Sequence, residues 1–353
     1  MDAPKPRPDP ATLEADPSAW DEFVASTALA PYLQATPWAE VKARNGWSAR
    51  RVAVGGTAGP VGCQLLTHRI GPLPWGVGYA PRGPVAAGLD EDAVHRWTGA
   101  LRRAAVDARL SHVVIDPEIE AGGPELGWFR GAGWRPCPSP QPARSRWIDL
   151  SRPEEALWDD LRGKWRQYVQ KARRAGIAVV EAGADRLDEF YAIYVETARR
   201  GGFTYRTAAT YRAVHHAYAL RDRARLLFAQ DASGEALAAL MLVGWGCRIV
   251  EPYGGMTRAG AESRANYLLK WEAIRSSRDL GYTVYDLWGL SHAGIEHFKV
   301  GFGGREVDYI GGLELEVRPF VRRAVQVAQA VRVRVARRRI DRERQGVYEG
   351  GEP

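Results

Sequence analysis

Three long spacings constrain this chain of 353 residues more than any other feature: Gly59 to Gly234, Tyr79 to Tyr253 and Asp116 to Asp286 each span 170 to 175 positions. In each half the glycine sits in a turn between apolar stretches, the tyrosine follows in an extended stretch, and the aspartate closes a β-branched run, VVID or TVYD. Nearly equal offsets across three unlike features mark a duplicated unit. Each copy reads strand hairpin, strand, helix, strand. The first helix, residues 91–110, carries Val94, Trp97, Leu101, Ala104 and Ala108 at helical spacing, and Tyr267, Trp271 and Ile274 mark its counterpart.

The length fits two domains, and 45% apolar residues is ordinary for a globular chain with two cores. The boundary is expected near Ser151, after RSRWIDL, which reads as the last strand of the first half. Residues 1–17 are rich in proline and lack apolar periodicity, so they are expected to be disordered. Residues 18–150 and 151–316 make the two domains, 317–340 a basic amphipathic helix, and 341–353 a disordered tail. On that helix Phe320, Ala324, Val327, Val331 and Val335 form one stripe, expected to dock on the protein's own core or, failing that, on an inner leaflet or RNA.

The longest uncharged apolar run, residues 236–247, is too short to cross a bilayer, and the start lacks a signal-peptide core. A cytoplasmic protein is expected. Cys63, Cys137 and Cys247 have neither metal-ligand nor paired spacing, so neither a metal nor thiol chemistry is expected. The net charge of +7 is concentrated: residues 162–174 hold six Lys/Arg and 317–339 eight Arg, with no acid in either stretch. Such patches draw RNA, polyphosphates or anionic lipid when they are not plain solvated faces.

Chemistry concentrates in residues 281–304, GYTVYDLWGLSHAGIEHFKVGFGG. A short strand ends at Asp286 and Trp288 in a loop, and Lys299 follows Phe298 just before Gly301, Gly303 and Gly304. The glycines predict open backbone beside a single cation on an apolar wall. Spacing alone equally allows a surface lysine before a turn. Read in order, PYLQATPWAEVK, VVIDPE, KWRQYVQKARRAGI, YVETARRGGFTYR, YDLWG, GIEHFKVGFGG and DYIGGLEL resemble the FemABX family, peptidyltransferases that move amino acids from aminoacyl-tRNA to the peptide of peptidoglycan precursors. The resemblance runs from about Tyr32 to Leu315. It implies an α/β fold of tandem GNAT-like domains, each a mixed twisted sheet flanked by helices. The element order of the two halves is that of the GNAT acyltransferase fold as well. The short path from Arg225 to Val250 predicts that the long helical arm of some members is missing here.

An aminoacyl ester is already activated, so the reaction needs approach geometry, oxyanion stabilisation and a route for the amine's proton. Freeing a lysine-like amine near neutral pH costs about 4 to 5 kcal/mol. No nucleophile-elbow Ser, Cys–His pairing or Ser-x-x-Lys is present. The resemblance implies that Lys299, with Phe298 excluding water, steadies the oxyanion. Asp116 either positions the amine, accepts its proton, or closes a strand end through backbone hydrogen bonds. Lys42 and Arg206 resemble the family's cations for the precursor diphosphate, and Tyr253, Tyr79, Tyr211 and Trp288 are candidate substrate contacts. Thr210 stands where the family pattern has a tyrosine, which weakens one acceptor contact. Lys164, Arg166, Lys171, Arg173 and Arg174 are candidates for tRNA phosphates, opposite a packing face of Trp165, Val169 and Ala172.

The expected protein is therefore a monomeric aminoacyltransferase without cofactor. Aminoacyl-tRNA is its co-substrate, a UDP-linked muropeptide or lipid II its acceptor, and contact with the inner face of the plasma membrane is left open. Its rivals are a tRNA-dependent amide-forming enzyme of secondary metabolism, an acyl-CoA N-acyltransferase, and an RNA- or membrane-binding protein on a decayed acyltransferase. For the acyl-CoA enzyme, Arg258-Ala-Gly-Ala is the nearest pyrophosphate-type turn and is misspaced.

Overall fold

The computed structural model describes residues 8–71, 73–290 and 293–327. Two Asp-Pro pairs start the described chain. Asp9 and Asp16 accept hydrogen bonds from the backbone N–H groups of Thr12 and Ser18, and the prolines after them open α1 (Pro10–Ala15) and α2 (Pro17–Ser26). Proline at a first helical position gives up no hydrogen bond, so these residues promote helix. The expectation of disorder through residue 17 is corrected from Pro10 onward: Leu13 and Trp20 are fully buried in the core. Residues 1–7 lie outside the described residues.

After α3 (Thr36–Ala43) the first unit follows the expected order. β1 (Trp47–Gly56) and β2 (Gly59–Arg69) form a hairpin turning at Gly59, whose φ of +132° only glycine adopts readily. Next come β3 (Gly76–Ala80), β4 (Val85–Ala86), α4 (Glu91–Asp107) and β5 (Leu110–Ile115), with β5 parallel to β3. Asp90 caps α4 through the Ala93 N–H, and Val94, Trp97 and Leu101 bury its inner face. The helix stops at Asp107 because Leu110 already begins β5. α5 (Glu125–Gly131) and β6 (Arg135–Cys137) complete this part.

β7 (Arg144–Asp149), α6 (Glu154–Asp160), α7 (Gly163–Arg174), β8 (Ala178–Ala182), α8 (Leu187–Gly201) and α9 (Ala208–Ala219) precede the second copy. That copy comprises β9 (Ala224–Gln230), β10 (Ala236–Trp245), β11 (Arg248–Met256), α10 (Arg258–Ser263), α11 (Ala265–Asp279) and β12 (Val284–Asp286). Here β9 and β10 are the hairpin, Gly234 turns it, and β12 is parallel to β11. α12 (Ala293–Val300), β13 (Arg305–Asp308) and β14 (Gly312–Glu316) follow. Every residue of β10 is buried, since this strand lies between two apolar clusters, one on each face. The longest named helix is the 17-residue α4, so no long helical arm is present among the described residues.

The two mixed sheets exchange strands. The first runs β1-β2-β3-β5-β14-β6, with β4 on β2, and the second runs β13-β7-β12-β11-β10-β9-β8. Residues 144–149, expected as the last strand of the first half, instead pair with β12 and β13 of the second sheet. β14 returns to fill the place beside β5. The expectation of in-sequence domains meeting at Ser151 overlooked this crossing, because strand propensity does not name a partner.

Residues 319–327 are helical, and beyond them the expected basic helix and tail lie outside the described residues. The apolar stripe does not dock inward as expected: Phe320 and Val327 are exposed while Val325 is buried. Arg322, ion-paired with Glu314 at 2.6 Å, fixes the rotation that turns the stripe outward.

Candidate functional site

The site grows out of a divergence between two strands. β11 and β12 pair only from Arg248 to Val250, so residues 251–256 of β11 continue while the chain after Asp286 turns away. A cavity of about 610 Å³ opens in the gap, lined by Glu251, Met256, Tyr267, Lys270, Trp288, Phe298 and Lys299, with Tyr194 and Thr197 of α8 on its far wall. A parallel pair splayed at its C-terminal end leaves unpaired backbone facing a crevice, a common place for a ligand.

Lys299 stands in the last turn of α12, where a helix end favours a cation. Its Nζ donates to the Trp288 carbonyl at 2.5 Å and the Gly289 carbonyl at 2.8 Å, and among the described residues the third of its donors has no partner. Burial pushes Lys299 down to about 8, with Asp286 pulling the other way. The loop that presents those carbonyls is held in turn. Trp288 has φ of +54°, its N–H donates to Asp286 at 2.8 Å, and its ring lies between Tyr32 and the Arg82 guanidinium. Phe298 packs on Tyr267 and Phe302, closing one side of the cavity to water.

Two expectations about this stretch are corrected. The glycines do not offer open backbone: a Cβ on Gly301 would lie 2.3 Å from Trp165 Nε1, and one on Gly304 2.3 Å from the Trp147 carbonyl. They permit close packing rather than ligand approach. Nor is Lys299 a single cation, because the buried Lys270 lines the same cavity, ion-paired with Glu251, whose other oxygen accepts from Tyr285 at 2.7 Å. Burial, reinforced by Lys299, pushes Lys270 well below the usual lysine range. Sequence reasoning missed this cluster. The available signal was a lone lysine and a lone glutamate within the apolar runs YLLKWEAI and RIVEPY.

Asp116 does not line the cavity. It is buried beyond β5 and accepts from the Tyr79 hydroxyl at 2.8 Å, the Arg82 N–H at 2.8 Å and the Gln141 N–H at 2.9 Å. Burial raises its pKa, against the opposing charge of Arg82. With three donors in place it acts on structure, and Tyr79, bonded to it and to Gln141 at 3.1 Å, acts with it. Asp116 holds Arg82 in a left-handed turn at φ of +59°. Arg82 and Arg248 flank Glu118, at 3.4 and 2.7 Å, and Arg248 lies 3.8 Å from Asp286. All four charged side chains are buried. This cluster ties the first sheet to the loop whose carbonyls Lys299 holds, and losing one member would cost about 3 to 5 kcal/mol.

The remaining substrate candidates, Lys42, Arg206, Tyr211 and Tyr253, lie outside the cavity lining, with Tyr211 itself buried. Lys42 lies over the Trp47 ring at 4.7 Å, and its pKa is lowered first by burial and then by the nearby Arg206. Arg206 is exposed, its N–H donates to the Tyr211 hydroxyl at 3.0 Å, and Tyr211 meets Tyr253 edge-on at 5.1 Å. Tyr194, on the cavity wall, touches both tyrosines. Two adjacent cations that repel each other form a site for an anion.

Of the tRNA candidates on α7, Lys164, Lys171 and Arg174 are exposed. Arg166 and Arg173 are engaged by Asp159 and Glu272. The packing face is as expected, with Trp165, Val169 and Ala172 buried. Lys164 and Arg264 approach the Tyr168 ring, and Arg162 lies 3.3 Å from His297, so cations ring one mouth of the cavity. Thr197, whose hydroxyl is bonded to both backbone groups of Met256, is not placed to be a nucleophile. At the Arg258 turn the Gly260 N–H is taken by Thr257, and a Cβ on Gly260 would strike the Leu237 carbonyl at 2.0 Å. That turn is not a free phosphate cradle.

Comparison with known proteins agrees with this architecture. A model of the FemAB family matches residues 16–122, and a GNAT acetyltransferase domain model matches residues 159–300. The chain is 27% identical over 210 residues to a lipid II:glycine glycyltransferase of Staphylococcus saprophyticus, an alignment covering 56% of this chain and 51% of the relative. The chain thus spans about half the length of the curated relatives it matches. The crystal structure of FemX superposes with a TM-score of 0.80 at 19% identity, over 88% of this chain and 98% of that one. A tandem GNAT protein from the clavulanic acid biosynthesis pathway superposes with a TM-score of 0.52 at 14% identity, over 88% and 98%.

Proposed function

We propose that this chain, similar to the FemAB family over residues 16–122 and 27% identical to a lipid II:glycine glycyltransferase over 210 residues, is an aminoacyltransferase of the FemABX kind that moves an amino acid from aminoacyl-tRNA to an amine on the stem peptide of a peptidoglycan precursor. The observation that carries this reading is Lys299, an ammonium with one donor unclaimed among the described residues, on the wall of a cavity whose described lining holds no serine or cysteine and whose threonine hydroxyl is bonded to Met256. Such a site suits direct aminolysis. The acceptor amine attacks the ester carbonyl, the free Lys299 donor steadies the oxyanion, and collapse forms the C–N bond and breaks the C–O bond. The proton lost by the amine ends on the leaving ribose oxygen.

The acceptor's diphosphate is assigned to Lys42 and Arg206, and its peptide to the channel bordered by Tyr211, Tyr253 and Trp288. The acceptor end of the tRNA is assigned to the other mouth, where Lys164, Lys171, Arg174 and Arg264 meet its phosphates. Among the described residues no helix is long and apolar enough to cross a membrane. A lipid-linked acceptor would be met at a membrane surface.

The test is incubation with mixed charged tRNAs and either lipid II or a UDP-linked muropeptide, followed by mass analysis of the acceptor. A ribonuclease-sensitive gain of one amino-acid residue is expected. Transfer only to a small amine, or only from acyl-CoA, would overturn the reading in favour of the corresponding rival.

A further inference from the structure

We propose that Glu251 is the anchor for the donor's α-ammonium group, so that the cavity accepts α-aminoacyl esters whose amine is unblocked. This rests on the reading of the cavity as the donor site and names what it recognises there.

The argument begins with charge. The described residues lining the cavity include the cations Arg264, Lys270 and Lys299 and a single carboxylate, Glu251. An aminoacyl ester brings a further positive charge within two bonds of the carbonyl that Lys299 must polarise. Without a carboxylate nearby, that ammonium would be repelled by the groups that activate its ester. Glu251 is the first residue of β11 beyond the divergence from β12, which sets its side chain at the floor of the cavity.

Its bonding leaves capacity for a ligand. A carboxylate has about four acceptor positions, and Glu251 uses two, one for Lys270 and one for Tyr285. Lys270 and Tyr285 each take one of its oxygens, and that geometry leaves the remaining acceptor positions to a cationic ligand. A second acceptor lies close by. Asn266, one helical turn before Lys270 on α11, also lines the cavity, and its buried Oδ1 has no hydrogen-bond partner among the described residues. An unpaired buried acceptor is costly unless a ligand completes it. Together these groups offer two oxygens to an ammonium from the β11 and α11 side of the cavity.

The experiment compares an aminoacyl-tRNA with its N-acetylated counterpart as donor, and measures binding of a non-transferable aminoacyl-adenosine amide with and without the same acetyl group. Wild-type protein should favour the free amine roughly 10- to 100-fold in both measurements, the range of a buried charge-assisted hydrogen bond. Glu251→Gln should abolish that preference by weakening only the free-amine donor. If the single variant does not fold, the neutral pair Glu251→Gln/Lys270→Gln keeps the volume and should lose the preference equally. Equal use of both donors by wild-type protein, or an equal fall for both in the variants, would overturn the anchor while leaving the donor site intact. Absence of both transfer and analogue binding would instead overturn the donor reading, and the anchor with it. A loss in Glu251→Gln confined to the alkaline or acid limb of the rate profile would mark Glu251 as a proton acceptor and also overturn it.

Discussion

Replacing Lys299 by methionine removes the ammonium and keeps most of the stem. Two of its three donors hold the Trp288 and Gly289 carbonyls, so the substitution has two separable effects. Loss of the free donor from the oxyanion costs about 3 to 4 kcal/mol, or a hundredfold to a thousandfold in the transfer step. Loss of the two carbonyl contacts costs roughly 1 to 3 kcal/mol each where the carbonyls stay buried, and falls on the stability of the loop. Single-turnover transfer at saturating donor and acceptor measures the first, and thermal melting measures the second. Lys299→Arg retains donors to the loop but carries them on a planar head, so it should recover melting more than rate. A folded Lys299→Met protein transferring within threefold of wild type would refute the oxyanion assignment. So would a fall explained wholly by lost affinity for either substrate.

Other outcomes follow from the same contacts. Since burial sets Lys299 near 8, its donor form prevails below that pH and is lost above it. With a weakly basic acceptor amine, the single-turnover rate should fall as pH rises through about 8, and Lys299→Arg should lack that limb; the same limb in both would remove Lys299 as its source. Lys42→Ala or Arg206→Ala should raise KM about 10-fold or more for a diphosphate-linked acceptor and leave a bare stem peptide unaffected; equal effects on both acceptors would mean the pair does not meet the diphosphate. Gly301→Ala drives a methyl into Trp165 Nε1, which donates to the Phe298 carbonyl at 3.0 Å. Melting should drop by roughly 3 to 10 °C, and an unchanged melt would show that the contact yields freely.

The duplicated unit was legible because turn glycines, strand-end aspartates and helical spacing are local properties. Gly59 and Gly234 turn hairpins in both halves, and Lys299 does line a cavity. What was not legible depended on partners far along the chain. Nothing in RSRWIDL distinguishes an edge of the first sheet from a place between β12 and β13. At a strand end Asp116 allowed an amine contact, a proton acceptor or a structural cap, and the choice rests on donors from Tyr79, Arg82 and Gln141, up to 37 positions away. The Gly301–Gly304 turn looked open because the sequence does not announce that Trp165, Asp160 and Trp147 fill the space. Glu251 and Lys270 escaped notice because each is a polar exception inside an apolar run, and such exceptions gain meaning only once they meet.

The strand exchange bears on how the molecule is made. Val113 of β5 waits for Leu315 of β14, its partner roughly two hundred residues later. On a ribosome the early sheet therefore stays two strands short, since β6 joins it through β14, and its β5 edge is unguarded until nearly all the described chain has emerged. A fragment ending near Ser151 would lack β14 and carry β7 without its neighbours. Neither half is a separable module, and the laced chain should melt in one cooperative step with both catalytic walls lost together.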